Sequence, residues 1–268
     1  MMAREHQARK RFGQHFLHDS QIIERLMSTI NPQSGDLIVE IGPGQGALTF
    51  PLLKRLGYLE AIEIDRDLVA YLMGICAAKG DLRLHNTDAL AFNFHTIARK
   101  NQLLRVVGNL PYNISTPLLF HLFTQIEIIK DLHFMLQREV VMRMAAKPGN
   151  KNYGRLSVMT QFYCEVEPLF IVKPGAFIPP PKVDSMIVRL KPHHSPLAPD
   201  IPHKALSQVV SQAFSQRRKT LANSLKGLID LVAIKALGID PQQRPEIISL
   251  EQYLRLTQYW LAQDRNDL

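Results

Sequence analysis

Apolar and polar positions along the chain fall into two regimes. Through the first two-thirds, short unbroken apolar runs alternate with stretches of helical period. Such runs mark strands buried on both faces, and their alternation with helices predicts a largely parallel α/β sheet. Strands are expected at 37–41, within 58–67 with Glu63 near the end, at 82–85, at 104–108 and at 132–137. Two later strands are expected at 164–170 and 183–190. Helices are expected at 20–30, 47–55, 68–78, 116–123 and 138–146. Asp19 or Ser20 caps the first, which carries Ile22, Ile23, Leu26 and Ile30 on one face, and Asp67 is the expected cap of the third. Residues 157–162 fit a helix or a strand equally. The stretch from Lys173 to Lys182 is too rich in proline for the interior of any element.

A second proline-rich stretch, 191–202, reads as a domain boundary. Beyond it the pattern is wholly helical, at 203–214, 218–226, 228–237 and 249–263. The expected organisation is a basic N-terminal arm over 1–18, an α/β domain over 19–195 and a small helical domain over 196–268. The arm runs from Arg4, Arg9, Lys10 and Arg11 into Phe12, Phe16 and Leu17, and its aromatic end is expected to dock onto the core.

The turn after the first long strand holds Gly42, Gly44 and Gly46. Glycine at every second position lets the backbone approach a ligand and present its amides, although a plain tight turn would use the same residues. Glu63, about twenty residues beyond Gly42, stands where a nucleotide-binding unit keeps the carboxylate that holds a ribose diol. The spacing departs from Gly-x-Gly-x-x-Gly, with Ala47 at the last position, and no Gly-Lys-[Ser/Thr] follows. Glu40, entering the turn, would repel a phosphate but suits an ammonium group. An adenosine-bearing, partly cationic cofactor fits these residues, and S-adenosylmethionine is such a molecule. Asp88, just after the third strand, can accept from the adenine amino group or cap the next helix as an Asx turn.

Charge changes the picture next. Apolar residues make up 46% and charged residues 21% of the 268, ordinary values for a folded chain, but the formal net charge is +8. A cationic balance is an argument for a polyanionic partner. Residues 203–229 contain no acidic side chain, while Lys204, Arg217, Arg218, Lys219 and Lys226 all occur there. Arg217, Arg218 and Lys219 are therefore candidates for RNA contact. Lys147, Lys151 and Arg155, in a basic loop that reads as flexible, are a second set, with a solvated linker as the other reading. Two cysteines, Cys76 and Cys164, cannot build a disulfide framework and are expected to be packing residues in a reducing compartment. With no apolar signal region and no run of eighteen apolar residues, the expected location is cytoplasmic, away from membranes.

The fourth strand of the sheet ends in Asn109-Leu110-Pro111-Tyr112. Ligand chemistry in such sheets lies at the carboxyl ends of the strands. An exocyclic adenine amine is a poor nucleophile, because its lone pair is delocalised into the ring. Two acceptors that take its hydrogens can aim the nitrogen at an electrophilic methyl group, and the Asn109 amide oxygen and the Leu110 carbonyl can supply them. Pro111 fixes the turn, and Tyr112 offers a ring on which a flipped base can stack. No metal is required for transfer from a sulfonium. An Asx turn at Asn109 and a core role for Tyr112 are the structural alternatives.

These blocks together resemble the ribosomal RNA adenine N6,N6-dimethyltransferase family. The resemblance runs through Phe12–Leu17, Glu40–Thr49, Glu63–Asp65, Asp88–Leu90, Asn109–Ser115, Phe177–Ser185 and Ala213–Leu221. It implies a Rossmann-like S-adenosylmethionine-dependent methyltransferase core with a small all-helical C-terminal domain. It also implies cofactor contacts at His15, Leu17, Gly42, Gly44, Glu63, Asp88, Ala89 and Asn109, with Phe177 closing on the base from the face opposite Tyr112. Many relatives have Asn where this chain has His15. The implied reaction is dimethylation of two adjacent adenosines near the 3′ end of small-subunit rRNA, within an immature 30S particle, by a monomeric enzyme. Two other readings compete: methylation of large-subunit rRNA, and a non-catalytic assembly factor that uses the same basic surfaces.

Overall fold

The computed structural model describes residues 14–77, 79–195, 197–216 and 218–264. Most of the basic arm, together with Arg217, lies outside the described residues. Two compact units divide the rest: residues 14–141 with Glu167–Pro192, and Met142–Val166 with the chain from His193 onward. This differs from the division at 195 expected from the prolines. Residues 142–166 group with the C-terminal helices because α6 (Arg155–Tyr163) packs against α7 (His203–Ala213) and α10 (Leu250–Asp264). The helical unit is completed by the short helices α8 (Leu221–Ser224) and α9 (Leu231–Ala236).

The first unit is built on a seven-stranded sheet. Its strands are β2 (Leu37–Ile41), β3 (Tyr58–Ile62), β4 (Asp81–His85), β5 (Leu104–Asn109), β6 (Ile129–Gln137), β7 (Cys164–Val172) and β9 (Ser185–Pro192). They lie in the order β4-β3-β2-β5-β6-β9-β7. The first five in that order pair in parallel, and β9 runs antiparallel to β6. β2 is internal to the sheet and buried at all five positions, Glu40 included, which is why its sequence does not alternate. A separate two-stranded pairing joins β1 (Phe16–Leu17) to β8 (Phe177–Ile178), with Leu17 opposite Phe177.

The helices follow the sequence pattern with small shifts. α1 (Ser20–Ile30) is capped by Asp19, whose carboxylate accepts from the amides of Gln21 and Ile22. Asn31, in the left-handed region with φ 45°, closes it. α2 spans Thr49–Leu56 and α3 spans Arg66–Cys76. The cap of α3 is Asp65, not Asp67: its carboxylate accepts from the Asp67 amide, and Asp67 falls in the first turn. α4 is Ser115–Phe123 and α5 is Arg138–Met144. One core cluster joins Leu26 and Ile30 of α1, Leu52 and Leu53 of α2, and Leu72 and Cys76 of α3 to Ile38, Leu59, Val107 and Met135 of the sheet. Cys164 is buried as well.

At the amino ends of the strands, Arg105 on β5 forms a buried ionic knot. Its guanidinium donates to Asp131 on β6 at 3.0 and 3.1 Å, to Asp36 before β2 at 2.7 Å, and to the Ile30 carbonyl at 2.6 Å. That carbonyl is one of the groups a helix C-terminus leaves without an intrahelical partner, so one side chain joins α1 to two strands. Burial alone would raise both carboxyls. The Gln33 amide, Arg105 and Lys130 hold Asp36 below the usual carboxylate range, and His133 and Arg105 do the same for Asp131.

Arg105→Met should leave two largely buried carboxylates without the guanidinium they share and destabilise the fold by about 3–5 kcal/mol in urea titration. The pH response should move as well. In the parent, both folded pKa values lie below the unfolded ones, so the stability they add is complete above the unfolded value and is lost only as pH falls below it. Without Arg105, the Gln33 amide and Lys130 at Asp36, and His133 at Asp131, oppose burial less fully, both pKa values rise, and the acid-unfolding midpoint followed by circular dichroism should shift to higher pH.

Candidate active site

Four strands, β2 to β5, end at the same edge of the sheet, and the loops that follow them line a cleft that is open to solvent at its mouth. The N-terminal segment around His15 completes its wall. Convergence at this edge is a consequence of parallel pairing, which sends every strand-to-helix loop the same way.

The glycine turn follows β2. Gly42 and Gly44 have φ of 68° and 56°, and a Cβ on Gly44 would stand 3.1 Å from the Phe16 ring. A side chain there would meet both the left-handed strain and the ring. The Gly44 amide donates to Glu63 Oε2 at 3.3 Å, and the Asp65 amide donates to Oε1 at 2.9 Å. Each carboxylate oxygen keeps a further lone pair for a ligand. Asn86, after β4, donates to the Glu63 carbonyl at 2.9 Å and secures the residue from behind. Burial raises the Glu63 pKa, and the amides of Asp65 and Gly44 oppose that rise.

Glu40, next to last in β2, is buried, and Thr49 at the start of α2 donates to it at 2.7 Å. Burial, with a further contribution from the Glu63 charge, pushes its pKa up to about 7 against the Thr49 hydrogen bond. Asp88 lines the cleft and also accepts from the Leu90 amide at 2.9 Å, so the Asx turn is present at a residue that faces the cleft.

Asn109 closes β5. Its Nδ2 donates to the His15 carbonyl at 2.9 Å, which leaves Oδ1 as the acceptor end of the amide. His15 Nδ1 lies 2.7 Å from the Pro179 carbonyl and donates to it. The His15 and Tyr112 rings stand 5.8 Å apart at a tilt of 31°, and the Tyr112 hydroxyl lies 2.7 Å from Ser185 Oγ. Gly108 is needed just beneath: a Cβ there would fall 2.6 Å from the Ile41 carbonyl oxygen.

The cleft therefore brings together His15, Leu17, Gly42, Gly44, Glu63, Asp88, Ala89, Asn109, Leu110 and Tyr112. Phe177 does not join them. Its pairing with Leu17 turns it into the core at 2% exposure, while the next residue, Ile178, faces out at 60%. Among the lining residues not assigned a role from the sequence are Gln14, which donates to Asp65, and Ile64, 46% exposed beside Glu63. An apolar residue between two acids just past a strand end was the available signal for Ile64. Among the described residues, the lining includes three carboxylates and no Lys or Arg. That set of acceptors fits an adenosyl cofactor with a cationic centre, and it does not fit a pyrophosphate.

In the helical unit, Lys147, Lys151, Arg155, Arg218 and Lys219 are exposed. The 147–155 loop is anchored rather than a free linker: Tyr153 is buried near Phe214, and the Gly149 amide donates to the Glu246 carbonyl at 2.8 Å. Arg155 also donates to Ser207 at 3.2 Å.

Strand order, glycine turn and acidic cleft together define a Rossmann-like methyltransferase with an appended helical region. Residues 5–262 match the model of one family, ribosomal RNA adenine dimethylase, and the chain belongs to that family. It is 73% identical over 256 residues to the ribosomal RNA small subunit methyltransferase A of Nitrosococcus oceani, covering 96% of this chain and 97% of that one. The protein of the same name from Pseudomonas putida is 54% identical, with 94% of each chain covered. A dimethyladenosine transferase from Plasmodium falciparum superposes with a TM-score of 0.80 at 26% identity, over 92% of this chain and 98% of that one. The 23S rRNA methyltransferase ErmE gives 0.70 at 25%, over 91% and 98%. The fold is thus shared with a 23S rRNA methyltransferase, whereas the high sequence identities lie with proteins named for the small subunit.

Glu40 generates a pH test. Its folded pKa, about 7, lies above the ordinary 4.5, so its protonation stabilises the native state fully below the unfolded value, and that gain is lost as pH rises through the folded one. Urea midpoints measured from pH 5 to pH 8 should fall by the equivalent of about 1–3 kcal/mol more in the parent than in Glu40→Gln. Equal slopes would remove Glu40 from the titration.

Proposed function

We propose that this chain transfers methyl groups from S-adenosylmethionine to N6 of two adjacent adenosines near the 3′ end of small-subunit rRNA, two to each base. It acts on an immature 30S particle, as a monomer in the cytoplasm. The observation that carries the reading is the meeting of Asn109-Leu110-Pro111-Tyr112 with the glycine turn and Glu63 in one acidic cleft. No helix among the described residues is long and apolar enough to cross a membrane.

The cofactor supplies a methyl group already activated by its sulfonium. The chain's own task is to bind, orient and exclude water. Glu63, as an acceptor already fixed by two amides, takes the ribose diol. Exposed Ile64 offers an apolar face to the adenine, and Asp88 accepts from its amino group. Glu40 favours the cationic end of the ligand. Asn109 Oδ1 and the Leu110 carbonyl take the two hydrogens of the target amine, and the carbonyl of His15 fixes which end of the Asn109 amide is presented. Tyr112 supplies a stacking face, its orientation set by Ser185. Arg218 and Lys219, with Lys147, Lys151 and Arg155, position the RNA backbone without reading bases. Arg217 is proposed for the same role from sequence alone.

The reading is tested by incubating the protein with labelled cofactor and, in parallel, immature 30S particles or large-subunit rRNA, then digesting the rRNA and identifying the labelled nucleosides. Dimethyladenosine at two adjacent positions near the 3′ end is expected. Label in large-subunit rRNA only would favour the other enzyme class, and none in either would leave the assembly factor.

Glu63→Ala should weaken cofactor binding by roughly 1–3 kcal/mol, because the ligand's hydroxyl donors lose their acceptor. Calorimetric titration with an unchanged Kd would remove Glu63 from the site.

Asn109 and Tyr112 should separate in single-turnover methylation at saturating cofactor and particle. Asn109→Ala should lower the rate on the order of 10²-fold, as expected for an amine misplaced by about 1 Å. Tyr112→Phe keeps the ring and should be mild, whereas Tyr112→Ala loses stacking of roughly 1–3 kcal/mol. Equal losses for the two tyrosine variants would transfer the role from the ring to its hydroxyl.

A further inference from the structure

We propose that Arg138 and Lys173, gathered on Asp184, bind the phosphodiester of the nucleotide whose base enters the cleft. The inference rests on the functional reading above and says where the backbone of that substrate lies.

Asp184 Oδ2 accepts from Lys173 Nζ at 2.9 Å and lies 3.9 Å from Arg138 Nη1. The Arg138 amide donates to the Asp184 carbonyl at 3.0 Å, so the pair is fixed through the backbone as well. The loop that carries Lys173 is held in turn, through Ala176 to Lys173 and His18 to Ala176, each at 3.0 Å. The Arg138 and Lys173 side chains are 51% and 75% exposed, against 22% for Asp184. The cations face outward and the carboxylate sits beneath them. Two positive charges share one negative one, which leaves the cluster cationic, and exposed Lys182 stands two residues before Asp184. An ion pair at this exposure contributes little to stability. A fork-shaped guanidinium beside an ammonium is instead a donor set suited to a phosphate.

Its position decides the ligand. Ser185, next to Asp184, is hydrogen-bonded to the Tyr112 hydroxyl at 2.7 Å, so the cluster begins at the polar tip of the ring that lines the cleft. Arg138 comes three residues after Met135, the register partner of Asn109. At the rise of a strand this is about 10 Å beyond the level of Asn109. A nucleotide with its amine at Asn109 extends through its ribose to its phosphate over a comparable reach. The acidic cleft repels that phosphate, and a cationic rim at this distance receives it.

The test uses the full chain and immature 30S particles. The double variant Arg138→Gln/Lys173→Gln should methylate saturating particles at least about tenfold more slowly in a single turnover, the loss expected from charge-assisted hydrogen bonds. Cofactor Kd and thermal unfolding should stay parental, and the charge-preserving pair Arg138→Lys/Lys173→Arg should recover most of the rate. Particles whose rRNA carries a neutral methylphosphonate at the target nucleotide should slow the parent and leave the double variant no slower than before. Parental rates for the double variant, or a methylphosphonate effect of equal size in both proteins, would overturn the inference alone. A parent that methylates no particle would overturn the functional reading and this inference with it.

Discussion

The carboxylate of Glu63 is the point on which the cleft depends. It lies just past β3 and is bound on one oxygen by the Gly44 amide and on the other by the Asp65 amide. The first bond holds the glycine turn of the neighbouring strand, and the second holds the entry to α3, where Asp65 itself is the cap. A buried carboxylate with too few donors would be costly, so the site is stable only while the turn stays close. That closeness requires a left-handed residue without a side chain at position 44. Turn, acid and helix entry therefore form a single device, fixed before any ligand arrives.

A second constraint closes the other wall. β1 and β8 are two residues each, too short to persist alone, and they hold because Leu17 and Phe177 enter the core together. His15 follows from this pairing: its carbonyl orients the Asn109 amide, and its ring is tied to Pro179. The same pairing explains why Phe177 does not face the cleft. In β8, Phe177 holds the inward position while Ile178 points outward.

The sequence disclosed the elements whose patterns were unmixed. β2 is apolar apart from Glu40, and the core of β5 is apolar apart from Arg105; the ends of β2, β3 and β5 led to Gly42, Glu63 and Asn109 at one sheet edge. Residues 157–162 were ambiguous for a physical reason: Ser157, Val158, Met159, Thr160 and Phe162 of α6 are all buried, so no polar face recurs to reveal a period. The cap of α3 was misplaced by two because Asp65 and Asp67 both suit a helix start, and only geometry shows which carboxylate turns back. The β1–β8 pairing was hidden because its partners are about 160 residues apart in the chain and neither is long enough to show alternation. The domain boundary moved for a related reason. Prolines mark where a chain turns, whereas α6 joins the helical unit through packing that leaves no local mark.

The charge distribution gives the parts a common purpose. The protein carries a net charge of +8, yet its cleft holds Glu40, Glu63 and Asp88, with no Lys or Arg in the lining among the described residues. A polyanion is drawn to the outside of such a molecule and refused by its interior. An adenosyl sulfonium meets the opposite preference, and at neutral pH it meets a Glu40 able to give up its proton as the cation arrives. In the proposed reaction, the only part of an RNA that can follow the cofactor inside is an uncharged base. The backbone must stay on the cationic rim, so the nucleotide has to unstack and turn its base inward. Selectivity for a flipped base over the strand that carries it then comes from the sign of the cleft, before any hydrogen bond to the base is made.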